Sequence, residues 1–129
     1  MMTNTKMTVY NKYIEPFTHK KVYKKYVIEN VFWDDARGIN RNTGYENADK
    51  VNIYIPFDKN DLTDYKEAKD FNGIGWTLQN GDFILKGDCP IEVIESIKDL
   101  KTYEVFEITL VDVKDFGSSN MQHFEIRGN

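Results

Sequence analysis

The sequence predicts a mainly β protein, a small antiparallel β-barrel or sandwich with one short helix and two long loops. Three observations carry that expectation. Aromatic residues make up 14% of the 129 residues, and aromatic and β-branched side chains favour pleated sheet. Apolar and polar residues alternate with a period of two in KVNIYIPF (50–57), YEVFEITLVDVKDF (103–116) and MQHFEIRG (121–128), the spacing of a strand with one buried face. Turn signals such as Asn80-Gly81 and GSSN (117–120) break these runs at short intervals, as hairpins require.

A chain of 129 residues fits a single domain, which buries roughly two thirds of its unfolded surface and needs no metal or disulfide staple. Cys89 is the only cysteine, which excludes an internal disulfide and fits a reducing compartment. No apolar run approaches the ~18 residues of a membrane span, so no membrane partner is expected. The opening MMTNTKMTVY lacks the apolar centre of a secretion signal.

Residues 1–16 form an N-terminal arm or first strand, and 17–129 the barrel core. VYNKYI (9–14) is the strand-like part, stopped by Pro16. VYKKYVIENVFWDD (22–35) is a long β-type run with apolar residues on both faces. Tyr23, Val27, Val31 and Trp33 lie on one, and Val22, Tyr26, Ile28 and Phe32 on the other. Such a strand is bent, bulged or covered on both sides, and strand curvature is what a small barrel needs. ARGINRNTGYENAD (36–49) is the first long loop. In 50–57, Val51, Ile53, Ile55 and Phe57 share a face, and Pro56 sets an edge or an end.

The second long loop, 58–75, carries acids at Asp58, Asp61, Asp64, Glu67 and Asp70. A calcium loop needs oxygen ligands at alternate positions and then glycine. Leu62 falls on a ligand position, so an ordinary loop or short helix is expected. Residues 76–79 and 82–86 are expected to be hairpin arms about Asn80-Gly81. GDFILKGD (81–88) lacks the glycine-rich approach to a helix that a phosphate loop needs. Residues 90–100 are the helix candidate. Pro90 suits the first position, and Ile91, Ile94, Ile97 and Leu100 form a stripe. Residues 103–116 and 121–128 make the closing hairpin, with Phe106, Ile108 and Leu110 on one face of the first arm.

No cofactor, metal or enzymatic activity is expected. His19 and His123 are the two histidines, and neither has a second ligand at metal spacing. His123, Glu125 and Arg127 alternate on one strand face, an arrangement of a solvent face or subunit contact in which nothing further supports acid–base catalysis. Cys89 reads as a small buried hydrophobe. Tyr10, Tyr13, Tyr23 and Tyr26 interleave with Lys12, Lys20, Lys21, Lys24 and Lys25. Stacking platforms beside cations give an alternative function, a single-stranded nucleic-acid-binding OB-like barrel module. The net charge of −4 weighs against a tight grip on phosphates. Charge is uneven, however. The first 33 residues hold six lysines against two acids, and acids exceed bases in the rest.

The order of VIENVFWDDARG, the IYIPF strand, GDFILKG and the closing MQHFEIRG resembles small minor structural proteins of tailed phages and prophages of Gram-positive bacteria. More distantly it is similar to the head-closure, or stopper, members of the head–tail connector. The resemblance implies a β-barrel subunit that self-associates into a ring in the neck of the virion, assembled in the bacterial cytoplasm. Portal or adaptor proteins and tail proteins would be its partners, and double-stranded DNA would pass without specific binding. It supplies no catalytic residues. Loops 36–49 and 58–75 become candidate projecting segments, although the acid-bearing 58–75 insertion departs from a simple stopper and leaves an adaptor role open. Arg37 and Arg41, whose guanidinium forks suit carboxylates, join Lys24, Lys25, Asp61 and Asp64 as candidate subunit or portal contacts.

Overall fold

The computed structural model describes residues 2–35 and 50–129. Seven strands lie in chain order: β1 (Thr5–Ile14), β2 (Lys21–Asp35), β3 (Val51–Pro56), β4 (Phe83–Lys86), β5 (Val93–Ile94), β6 (Phe106–Lys114) and β7 (His123–Gly128). Every strand pairing is antiparallel. The order β1-β4-β6-β7-β3-β2 returns to β1 through the β1–β2 ladder, so six strands close into a ring, and β5 pairs with β2 alone. The expected mainly β architecture is therefore a closed barrel.

Closure depends on β2. Residues from Lys21 to Val31 pair with β1, and Phe32–Asp35 pair with β3. A register shift makes the hand-over: Met7 faces Ile28 but Thr5 faces Val31, so β2 spends an extra residue there. The bulge turns the strand and changes which parity points inward. Ile28 is buried in the barrel before it, and Val31 and Trp33 after it. Beyond the end of β1, Asn4 continues the ladder with its side chain. Its Oδ1 accepts the Trp33 N–H at 2.8 Å and its Nδ2 donates to the Trp33 carbonyl at 3.1 Å.

The barrel interior is filled by inward residues from all six strands, among them Val9, Ile53, Ile84, Ile108 and Ile126. A second apolar cluster lies on the outer side of the β1–β2–β4 wall. There Tyr10, Tyr23, Phe83 and Leu85 meet Cys89, Ile94 and Leu100. The segment 87–105 thus covers the wall, which is why β1 is buried without a break from Met7 to Asn11. Cys89 is free and buried, the small-hydrophobe role its surroundings suggest.

Three expectations change. The helix over 90–100 is replaced by β5 and a 3-10 turn, Ile97–Leu100. Ser96 interrupts the window: its hydroxyl accepts the Lys98 N–H, and the Asp99 carboxylate accepts the N–H groups of Glu95 and Ser96. A turn is capped where a helix would have continued. The arms 76–79 and 82–86 are not a strand pair, because β4 pairs with β1 and β6. Trp76, Thr77 and Leu78 are instead buried against the barrel. Leu110 leaves the Ile108 face, because a register shift between Ile108 and Leu110 exposes Leu110 and turns Val111 toward the core.

The 58–75 loop lies against the barrel. Asn60 donates to the Asn30 and Pro56 carbonyls at 2.8 and 2.9 Å, and Tyr65 packs on Trp76 and Phe124. The loop's return requires glycine at 75. Gly75 has φ +80°, and a Cβ there would stand 2.1 Å from the Asp64 carbonyl oxygen. Gly81 has φ +92° with open space around it. Gly75→Ala is therefore expected to cost about 3 kcal/mol or more, adding a backbone clash to positive-φ strain, and Gly81→Ala about 1 kcal/mol. Urea unfolding of the two variants checks this; equal losses would contradict the close approach.

Candidate functional site

The sequence-derived contact residues are engaged within the chain. The Lys24 ammonium sits over the Tyr13 ring, 4.6 Å from its centre, and reaches the Gly73 carbonyl at 3.5 Å. Lys25 pairs with Asp88 at 2.9 Å and reaches Glu92 at 3.9 Å, tying the outer cover to β2. The hydrogen bond to Asp88 holds the Lys25 ammonium above its usual pKa. Asp61 accepts the N–H and the hydroxyl of Thr63, which keeps its carboxyl below the ordinary range. Asp64 takes a long 3.5 Å contact from the Tyr26 hydroxyl, and its carbonyl accepts the Trp76 N–H. Lys24, Lys25 and Asp64 thus tie neighbouring segments to β1 or β2, and Asp61 closes a turn within its own loop. Arg37, Arg41 and the loop 36–49 lie outside the described residues.

The tyrosines needed for base stacking are spent on packing. Tyr10 and Tyr23 are buried in the outer cluster. Tyr26 stacks on Trp76 with centroids 5.7 Å apart. Tyr13 has Lys24 on its face and Phe71 at 6.5 Å. His123, Glu125 and Arg127 stay on the outer side of β7, with His123 edge-on to Tyr54 at 5.7 Å. Among the described residues, no group of three or more His, Cys, Asp or Glu side chains is placed to hold a metal ion. No described helix is long and apolar enough to cross a membrane.

Two hairpin ends expose large apolar side chains. Phe17, at the tip of the β1–β2 hairpin, is 93% exposed, and Phe116 and Met121, at the end of the β6–β7 hairpin, are 72% and 62% exposed. Near the second hairpin, Phe57, Leu62, Tyr65, Val113 and Phe124 line a groove of about 320 Å³, with Glu67 and Asp115 also on its walls. Sequence reasoning looked for recognition in charge. The missed signal was an aromatic residue inside each polar turn, EPFTHKK and DFGSSNM.

A family model matches residues 2–129. The chain belongs to DUF6751, a family of unknown function. No curated protein and no solved structure matches it.

One ionisable group lies deep in this DUF6751 barrel. Asp82, 1% exposed, accepts from Asn11 Nδ2 at 2.9 Å and from the Lys12 N–H at 3.1 Å. Asn11 is itself clamped to Thr77, donating to its carbonyl at 2.8 Å and accepting its N–H at 3.1 Å. Burial raises the Asp82 pKa, and the hydrogen bonds only partly oppose it. This network holds the 76–78 segment against β1, which makes it structural. Because the folded pKa exceeds the unfolded one, the native state binds the proton more tightly. Ionisation of Asp82 therefore removes stability as pH rises from about 4 through the raised folded value. Comparing wild type with Asp82→Asn by urea unfolding from pH ~4 to ~7 isolates this contribution. The wild type is expected to lose stability relative to the variant as pH rises; an unchanged difference would contradict the assignment.

Proposed function

We propose that the protein is a non-enzymatic virion subunit of a tailed phage or prophage, a ring-forming head–tail connector component of the head-closure or adaptor type. The observation that carries the reading is a closed barrel with large apolar side chains exposed at the ends of two hairpins, Phe17 on one and Phe116 and Met121 on the other. Exposed apolar side chains on a rigid frame favour protein–protein burial over chemistry on a substrate. The segment order in the sequence, similar to that of phage minor structural proteins, supplies the kind of assembly.

In this reading the subunits self-associate around the DNA channel in the neck, between portal or adaptor proteins and tail proteins, after synthesis in the bacterial cytoplasm. The net charge of −4 suits a passage for double-stranded DNA, since like charge repels phosphate and avoids specific binding. Uneven charge along the chain suits contacts in which different patches of neighbouring copies meet. The single-stranded nucleic-acid reading gains nothing from the fold, because its aromatic platform is occupied.

The test is mass spectrometry on purified particles from an induced host, with imaging of the neck after antibody labelling. The protein is expected in the particle in multiple copies at the neck. Its absence from intact, DNA-filled particles would overturn the assignment.

A further inference from the structure

Phe17 is presented on a firm support. The β1–β2 ladder runs to Ile14 opposite Lys21. Beyond it, the Glu15 N–H donates to the Lys20 carbonyl at 2.9 Å and the His19 N–H to the Glu15 carbonyl at 2.8 Å. The turn is closed by its own backbone, with His19 at φ 56°, and Phe17 is 93% exposed at its crest. An aromatic side chain buries roughly 150–250 Å² when covered. Here the backbone that carries it is already closed by hydrogen bonds, so docking costs the ring its rotamer freedom but little backbone entropy.

The surroundings of this knob are basic. Lys12, Lys20 and Lys21, with His19, lie on or beside the tip against Glu15 in the turn itself, and Lys20 is partly offset by a 2.7 Å pair with Glu95. The groove beside the β6–β7 hairpin is the counterpart in shape and charge. Its floor and walls are Phe57, Tyr65, Val113 and Phe124, its volume is about 320 Å³, and Glu67 and Asp115 supply acid. Glu67 makes an exposed 3.5 Å pair with Lys69, a weak contact that another cation can replace.

We propose that Phe17 of one copy docks in the Phe57–Tyr65–Val113–Phe124 groove of a second copy, with the lysines of the tip facing Glu67 and Asp115. The partner is this same chain. The contact rests on the reading of the protein as a ring-forming subunit and gives that ring its contact surface. Knob and groove are different patches, so the contact is heterologous. A heterologous contact propagates from copy to copy and closes into a ring when its rotation divides the circle.

The experiment uses the full chain with Thr18→Cys in one preparation and Phe116→Cys in another, so that Phe17 and the residues lining the groove stay in place. Native Cys89 is buried, so wild type treated with a short bis-maleimide is the background control. The mixture is expected to give a linked dimer joining position 18 to position 116 by peptide mapping, and the double variant a ladder of linked oligomers. The product is expected to fall at least tenfold when the Thr18→Cys chain also carries Phe17→Ala, or the Phe116→Cys chain also carries Val113→Arg, with the circular dichroism spectrum unchanged. Three outcomes overturn the docking: no 18–116 link at any concentration, links joining 18 to 18, or linkage insensitive to Phe17→Ala and Val113→Arg. Sedimentation of the unlinked samples separates the two readings. Assembly without the 18–116 link rejects this contact and keeps the ring, whereas absence of the protein from particles rejects the ring.

Discussion

The fold depends on one strand serving two neighbours. β2 pairs with β1 up to Val31 and with β3 from Phe32 onward, and the register shift between Ile28 and Val31 makes the exchange. Without that extra residue, Val31 and Trp33 would point to the outside and the core would lose both. With it, Ile28, Val31 and Trp33 all face the core, and the sheet bends far enough for β4 to return to β1. Closure pairs each of the six strands on both sides over part of its length, which shortens the free edges, and β5 pairs a further stretch of β2.

The same wall is packed from both sides. Inward residues of β1, β2 and β4 fill the barrel, and outward ones, Tyr10, Tyr23, Phe83 and Leu85, receive the 87–105 segment. Polar atoms at this depth need partners, and they find them in pairs. Thr8 donates its hydroxyl to the Gly87 carbonyl and accepts the Cys89 N–H, and Tyr10 donates to the Ile91 carbonyl at 2.7 Å. These bonds fix the cover in register with the barrel. They also show why Tyr10 and Tyr23, which resembled part of a stacking platform, are buried as core, with the Tyr10 hydroxyl fastening the cover.

Much of the fold is legible in the sequence, in the places where one side chain decides one thing. Val51, Ile53 and Ile55 alternate and are all buried. Phe124 and Ile126 face inward as their spacing requires. The two-faced pattern of 22–35 reports both a bulge and a cover, and both are present. Legibility fails where a distant partner decides. The stripe Ile91, Ile94, Ile97, Leu100 fits a helix, yet Ile94 is needed opposite Tyr23 and Ser96 caps a turn between. Trp76 to Gln79 has the composition of a strand, but Asn11 captures the Thr77 backbone with its side chain and pulls the segment inward. The candidate surface was harder still. Lys24, Lys25, Asp61 and Asp64, expected as contacts, have partners within the chain as well, and the exposed apolar residues of the hairpin ends carry no sequence pattern beyond their place in a turn.

In the proposed ring, a closed frame with apolar hairpin tips can be covered by neighbouring copies without disturbing the barrel. That depends on the barrel being closed at its weakest seam. β4 and β6 share only the pairs Phe83–Glu107 and Ile84–Phe106, reinforced by the Ile108 N–H bonded to the Asp82 carbonyl at 2.8 Å. Native-state hydrogen exchange reads this seam directly. The Ile108 amide is expected to exchange at the free energy of global unfolding, together with the amides of the β3–β7 ladder. Exchange of Ile108 through a lower-energy opening, with β3–β7 still protected, would show an open sheet and contradict closure.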